Sequence, residues 1–290
     1  MIQNLQKAYG VAVAVNPQEG TGVAQYTDLT AYNAAIAKAD ELLTGGGSDE
    51  QMTEAIAALE KAVKELVPNM PDPNKVYAIY NAVDFEKNLG YKMVLAAYNS
   101  NNLRWKGTNY LDVNQYWQFE SATVEQLKAA GADTTAVGRA FYIKNLGLQK
   151  YLSDISNTEN VTTGLVDTIS AAMPVVITVF GQDTEVALDG LGEGKGKRIH
   201  ANNHGGGKGT GSNIVYWASG AGTASAWNIV EEEATYTLAQ LGSANFDDSV
   251  EFVEADETVV KGIFDLFGRR IDTPTEPGIY IIDGKKKLIK

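Results

Sequence analysis

His200 and His204 are the only two histidines in a chain of 290 residues. They stand at i and i+4, the spacing that puts two imidazoles on one helix face and could begin a metal site. Their neighbours argue against a helix: Asn202, Asn203 and Gly205 to Gly207 read as a loop, and no third ligand is evident. A polar loop, or a hydrogen bond to the edge of a ligand, is the expected role. The glycine-rich run from Gly190 to Gly222 is not expected to cradle phosphate, because Lys195 and Lys208 both precede glycine and no G-x-G-x-x-G register occurs. Cysteine is absent, and no G-x-S-x-G elbow or S-x-x-K element accompanies a base, so covalent catalysis has no visible machinery. Glu231, Glu232 and Glu233, like Asp247 and Asp248, are consecutive, whereas a hydrolytic dyad needs two carboxyls converging across a cleft. The expectation is a protein that is not an enzyme and uses neither metal nor cofactor.

The aromatic residues suggest binding instead. Trp105 and Trp217 close strand-like runs beside polar loops, where an indole face can lie on a sugar ring while hydroxyls bond at its edge. Tyr216 and Asn213 would be their neighbours in such a pocket.

Three kinds of element must position these residues. In the first, from Thr27 to Leu66, Leu29, Tyr32, Ile36, Ala39 and Leu43 recur at spacings of three and four, one apolar helical stripe. Gly45 to Gly47 supply a stop, Ser48 with Gln51 forms a capping box, and Met52, Ile56, Leu59, Val63 and Leu66 make a second stripe. Ile2, Leu5 and Tyr9 are expected to add a third helix to a small bundle. Pro68, Pro71 and Pro73 then predict a stiff extended linker and a boundary near residue 70.

From Lys75 to Glu233 the texture changes to short strand-like runs separated by Gly, Asn and Asp turns, which implies a sandwich or a barrel. Internal repetition favours threefold symmetry. Asn101 to Glu120 mirrors Ser212 to Glu231, each with two tryptophans, and "AFYIKNLGLQKYLSDI" with "PVVITVFGQDTEVALDG" supplies a degenerate middle copy. The last stretch, from Val260, predicts two or three short strands, "KGIFDLF", "GIYIIDG" and "KKLIK", joined through the turn at Pro274 and Pro277.

Family resemblances attach to each part. The alanine-rich helical pair resembles the small FIVAR modules of cell-surface proteins. Gln115, Tyr116 and Trp117 match the Gln-x-Trp signature of ricin-type β-trefoil lectins, and Trp227 with Ser225 matches its tryptophan. That resemblance implies a buried role for Trp117 and Trp227. It also implies a sugar-accepting aspartate beside the first strand of each repeat, where this chain offers Ala97 and Asn99, then Ser153 and Asp154, then His200 and Asn202. Asp154 is the one acidic candidate, so at most one pocket of the family type is expected. The C-terminal stretch, with Gly268 and Arg269 in "DLFGRR" and Gly278 to Ile282 in "GIYII", resembles the sorting tails of exported Bacteroidetes proteins.

The chain therefore reads as a multidomain α and β protein: a helical FIVAR-like module over 1–70, a ricin B-like β-trefoil over 71–235, and a linker with a β-rich sorting tail over 236–290. Its net charge of −12 opposes phosphate binding, so nucleic acid is not an expected partner. No apolar run reaches the roughly 20 residues of a membrane-spanning helix. Met1 to Asn4 show no basic n-region leading into an apolar segment, and an export leader is expected to have been removed. The expected role is a secreted or outer-surface carbohydrate-binding protein, a monomer, whose partners are glycans or glycoproteins and, through its tail, export machinery. It could be the C-terminal part of a larger surface enzyme. The alternative is a structural or protein-interaction scaffold with degenerate sugar sites. Candidate ligand-binding residues are His200, Asn202, Asn213, Tyr216, Trp217, Asp154 and Trp105.

Overall fold

A computed structural model describes residues 1–82, 93–97, 103–107, 112–153, 164–179, 184–201, 212–218, 222–232, 263–264, 270–271, 278–282 and 285–289. Two compact units result, Met1–Ala244 and Asn245–Lys290.

The first unit opens with three helices, α1 (Ile2–Val13), α2 (Thr30–Gly45) and α3 (Asp49–Lys64). Gly46, at a φ of 76°, ends α2, a conformation that a side chain disfavours. Ser48 and Gln51 close a reciprocal capping box, with Oγ of Ser48 accepting from the Gln51 amide and Oε1 of Gln51 accepting from the Ser48 amide. Buried residues in the bundle are Leu5 and Ala12, then Tyr32, Ala35, Ala39 and Leu42, then Met52, Ala55, Leu59 and Ala62. The alanines among them let the helices approach closely, and Ile36, Leu43, Ile56 and Val63 pack at the flanks. Ile2, expected to contribute, is 44% exposed.

The proline-rich stretch is not a free spacer. Backbone bonds join Asn69 to Ala24 and Gln25, and the Asn69 side chain donates to the Gly20 carbonyl. The Asp72 amide donates to the Tyr77 hydroxyl, and Gln118 donates to the Pro73 carbonyl. Val23 and Ala24 join the apolar core of the β region, so the α1–α2 connection is part of that region's packing.

Among the described residues twelve strands follow in chain order: β1 (Tyr77–Asn81), β2 (Met93–Ala97), β3 (Leu103–Gly107), β4 (Trp117–Ser121), β5 (Ala140–Asn145), β6 (Lys150–Leu152), β7 (Leu165–Val166), β8 (Val175–Val179), β9 (Val186–Gly190), β10 (Lys197–Ala201), β11 (Ser212–Ala218) and β12 (Trp227–Glu231). β1, β4, β5, β8, β9 and β12 pair in that order, and β12 returns to β1, closing a barrel with no free edge. β2 with β3, β6 with β7, and β10 with β11 form three antiparallel pairs outside that ring. The pattern is a β-trefoil, with repeats over 77–121, 140–179 and 186–231.

The registers carry the same symmetry. Tyr77 faces Trp117, Phe141 faces Val175, and Val186 faces Trp227. Alternate residues turn inward, so Ile79, Phe119, Ile143, Ile177, Leu188 and Ile229 share one core with the first set. At the three junctions between repeats one backbone bond recurs at 2.9 Å, from Ala82 to Ala226, Leu146 to Tyr116, and Leu191 to Pro174. The expected middle copy changes in phase: it ends at Val179, and "TEVALDG" opens the third repeat, because Val186–Gly190 pairs with both β8 and β10.

In the second unit β13 (Ile263–Phe264), β14 (Arg270–Ile271), β15 (Gly278–Ile282) and β16 (Lys285–Ile289) form one antiparallel sheet in the order β14-β13-β15-β16. Gly268, Arg269, Pro274 and Pro277 lie outside the described residues, as does the expected boundary at 235.

Candidate functional site

The third repeat brings together the largest share of the expected site. Its first two strands are fixed by a bidentate ion pair, in which Arg198 Nε and Nη2 donate to the two carboxylate oxygens of Asp189 at 2.8 and 3.1 Å. Those two residues face each other in the β9–β10 register. On β10 the inward positions are then Ile199 and Ala201, both fully buried, while His200 turns outward and is half-buried. Its partner across β11 is Val215, which makes Trp217 the diagonal neighbour, within reach of an aromatic ring. The two rings stack, centroids 5.4 Å apart and planes 25° from parallel. On the other side His200 Nδ1 shares a hydrogen bond of 2.9 Å with the hydroxyl of the fully buried Ser225, in the 3-10 turn Thr223–Ser225 before β12. The imidazole is thus oriented from below and stacked from the side.

His200 lies in a strand, which removes the helical face that its spacing to His204 would require; His204 lies outside the described residues. Among the described residues no group of three potential metal ligands converges.

Tyr216 is corrected from rim to core. It occupies the opposite face of β11 from Trp217, is 2% exposed, and its hydroxyl donates to the Ser153 carbonyl at 3.1 Å. Asn213 and Trp105 are brought near each other by a pairing between repeats, in which Ser212 faces Trp105 and Asn213 faces Arg104. Asn202 and Asp154 lie outside the described residues.

Comparing repeats isolates the site. By register, the place of His200 is taken by Ala96 in the first repeat and Ser153 in the second. Ala96 is buried, and the Ser153 hydroxyl is buried with no hydrogen-bond partner among the described residues, so neither repeats the imidazole arrangement. The Gln-x-Trp tryptophans serve the core. Trp117 Nε1 donates to the Leu95 carbonyl and Trp227 Nε1 to the Ile199 carbonyl, each at 3.0 Å and fully buried. The second bond holds the strand that carries His200.

One pair of symmetric residues was missed in the sequence. Asn81 and Asn145 are equivalent and buried, and each donates from Nδ2 to two carbonyls of the turn before a fourth strand: Ala224 and Ala226 for Asn81, Asn114 and Tyr116 for Asn145. Each is the last residue of the first strand of its repeat, a signal visible only after the repeats are phased correctly.

No protein-family model matches the chain, and no curated protein matches its sequence. Among solved structures it is similar to a Macrolepiota procera ricin B-like lectin in complex with lactose, at 13% identity and a TM-score of 0.41, over 57% of this chain and 100% of that one. It is also similar to the designed threefold-symmetric protein ThreeFoil, at 12% identity and a TM-score of 0.40, over 54% and 99%. A third similar structure is a Clostridium perfringens endo-β-galactosidase releasing GlcNAcα1-4Gal, at 16% identity and a TM-score of 0.37, over 55% of this chain and 33% of the enzyme. The trefoil assignment stands on the strand pairing itself.

Proposed function

We propose that the protein is a non-catalytic carbohydrate-binding module acting outside the cell, with its working site in the third trefoil repeat. One observation carries this reading: Trp217 is half-buried and stacked on a histidine that a buried serine holds in place. A partly exposed indole on a rigid support offers a sugar ring an apolar platform at small entropic cost, while the polar residues beside it supply hydrogen bonds. Asn202 and Asn213 are the proposed further contacts, with Trp105 a separate candidate in the first repeat and Asp154 one in the second. Export, surface attachment through the C-terminal tail, the FIVAR-like nature of the helices, the monomeric state and membership of a larger surface enzyme belong to the same proposal.

The second reading, a scaffold whose sugar sites have decayed, is favoured by Ala96 and Ser153 at the places equivalent to His200. A glycan array probed with the intact chain separates the two. Saturable binding to a defined glycan supports the first; uniform absence of binding supports the second.

A further inference from the structure

The β4–β5 connection, residues 122–139, is much longer than the β8–β9 connection, residues 180–185. It holds a short helix, α4 (Val124–Ala129), capped by Thr123 and Gln126, and a 3-10 turn, Thr134–Ala136. Leu127 and Ala136 pack this insertion over the outer face of β5, against Ala140 and Tyr142, as a satellite core separate from the barrel interior. The cover is incomplete. Between α4 and the 3-10 turn Ile169–Ala171 a half-open cavity of about 410 Å³ remains, bordered by Gln126, Ala130, Tyr142, Ile169 and Leu191. That volume falls within the roughly 300–1,000 Å³ of small-molecule sites.

Two features point to a ligand. Tyr142, only 4% exposed as a whole, borders the cavity with its hydroxyl hydrogen-bonded to no described residue, which leaves that hydroxyl available to a bound molecule. Among the described residues no charged side chain borders the cavity, and the Gln126 carbonyl is committed to the Thr123 amide, which turns the amide NH₂ into the donor left over. Beside the cavity Gly192, at a φ of 61°, packs its backbone on the Ala130 carbonyl with no room for a Cβ between them.

We infer that this cavity binds a small uncharged ring alcohol or phenol, its apolar body against the alanines, Ile169 and Leu191 and its hydroxyl paired with Tyr142. Any ammonium or carboxylate would be desolvated there without a countercharge. The site lies between the 122–139 insertion, the second repeat and Leu191 of the third, and is independent of Trp217.

The test titrates the intact chain with cyclohexanol, cyclohexylammonium and cyclohexanecarboxylate, following amide shifts by heteronuclear NMR. Saturable shifts confined to residues around Tyr142 are expected for cyclohexanol, with the charged analogues binding at least about tenfold more weakly. Tyr142→Phe should weaken cyclohexanol roughly fivefold to tenfold while leaving thermal stability unchanged or raised, since no internal hydrogen bond is lost. Ala171→Phe, which fills the mouth, should abolish the localised shifts, and Trp217→Ala should leave them intact. Absence of saturable shifts with cyclohexanol, equal binding of the charged analogues, or full affinity in Tyr142→Phe would each overturn the assignment.

Discussion

The first and third repeats anchor their last strands with a tryptophan, whereas the second uses Val175 at the same register position. The tryptophans reach across the repeat and bond the carbonyls of Leu95 and Ile199; in the second repeat the Met173 backbone amide bonds the equivalent carbonyl, that of Leu152. The frame is nonetheless the same, because the junction bonds from Ala82, Leu146 and Leu191 are identical in length. The backbone pairing therefore carries the threefold symmetry, and side chains are free to differ once each repeat fills its share of the core. That freedom explains how one repeat can keep a histidine and an indole on its rim while the others place alanine or serine there.

The comparison breaks most sharply at the indoles. Trp117→Ala and Trp227→Ala should each cost about 3–5 kcal/mol in denaturant unfolding, and Val175→Ala about 2 kcal/mol, having less volume to lose. Equal losses at all three would mean that the tryptophans do not anchor the trefoil. Next in size are the turn clamps. Asn81→Ala and Asn145→Ala each remove a side-chain donor from two turn carbonyls, buried or part-buried, and should cost about 1–3 kcal/mol. Their equivalent, Gly190, has no room for a side chain, since a Cβ there would lie 2.6 Å from the Gly194 carbonyl, so Gly190→Asn should destabilise rather than restore symmetry. Melting temperatures of the three variants check this ordering.

A smaller effect distinguishes the second repeat at high pH. Tyr151 has its pKa pushed up to about 12, first by burial and then by donating its proton to Glu120 at 2.9 Å. The folded state thus favours the protonated phenol. The associated stability is present below the ordinary pKa of 10.0 and is lost as pH rises toward about 12. Tyr151→Phe should lose less stability than wild type between those values in pH-dependent urea melts; an equal loss would remove Tyr151 from the alkaline transition.

Much of the trefoil was legible because its signals are local: strand-sized apolar runs, a Gln-x-Trp match and a twin of it at Trp227. The capping box at Ser48 and Gln51 was legible for the same reason. The phase of the middle repeat was not, since β6 and β7 span only Lys150–Leu152 and Leu165–Val166 and no tryptophan marks the end of β8. Tyr216 was misread for a physical reason: adjacent residues on a strand face opposite ways, so it and Trp217 cannot line one pocket. The Ser225 support for His200 joins residues far apart in sequence and could be found only after β10 had been placed beside the turn before β12. The Tyr142 cavity depends on how the β4–β5 insertion folds back over the barrel, which composition does not report.

The most direct test compares Trp217→Ala with Trp227→Ala by calorimetric titration of a glycan that the intact chain captures. The account predicts that Trp217→Ala stays folded and loses affinity about tenfold to hundredfold, taking aromatic stacking on a planar ring as a rough analogue, while Trp227→Ala lowers stability first. Undiminished glycan binding in Trp217→Ala, or collapse of the trefoil in that variant, would contradict it.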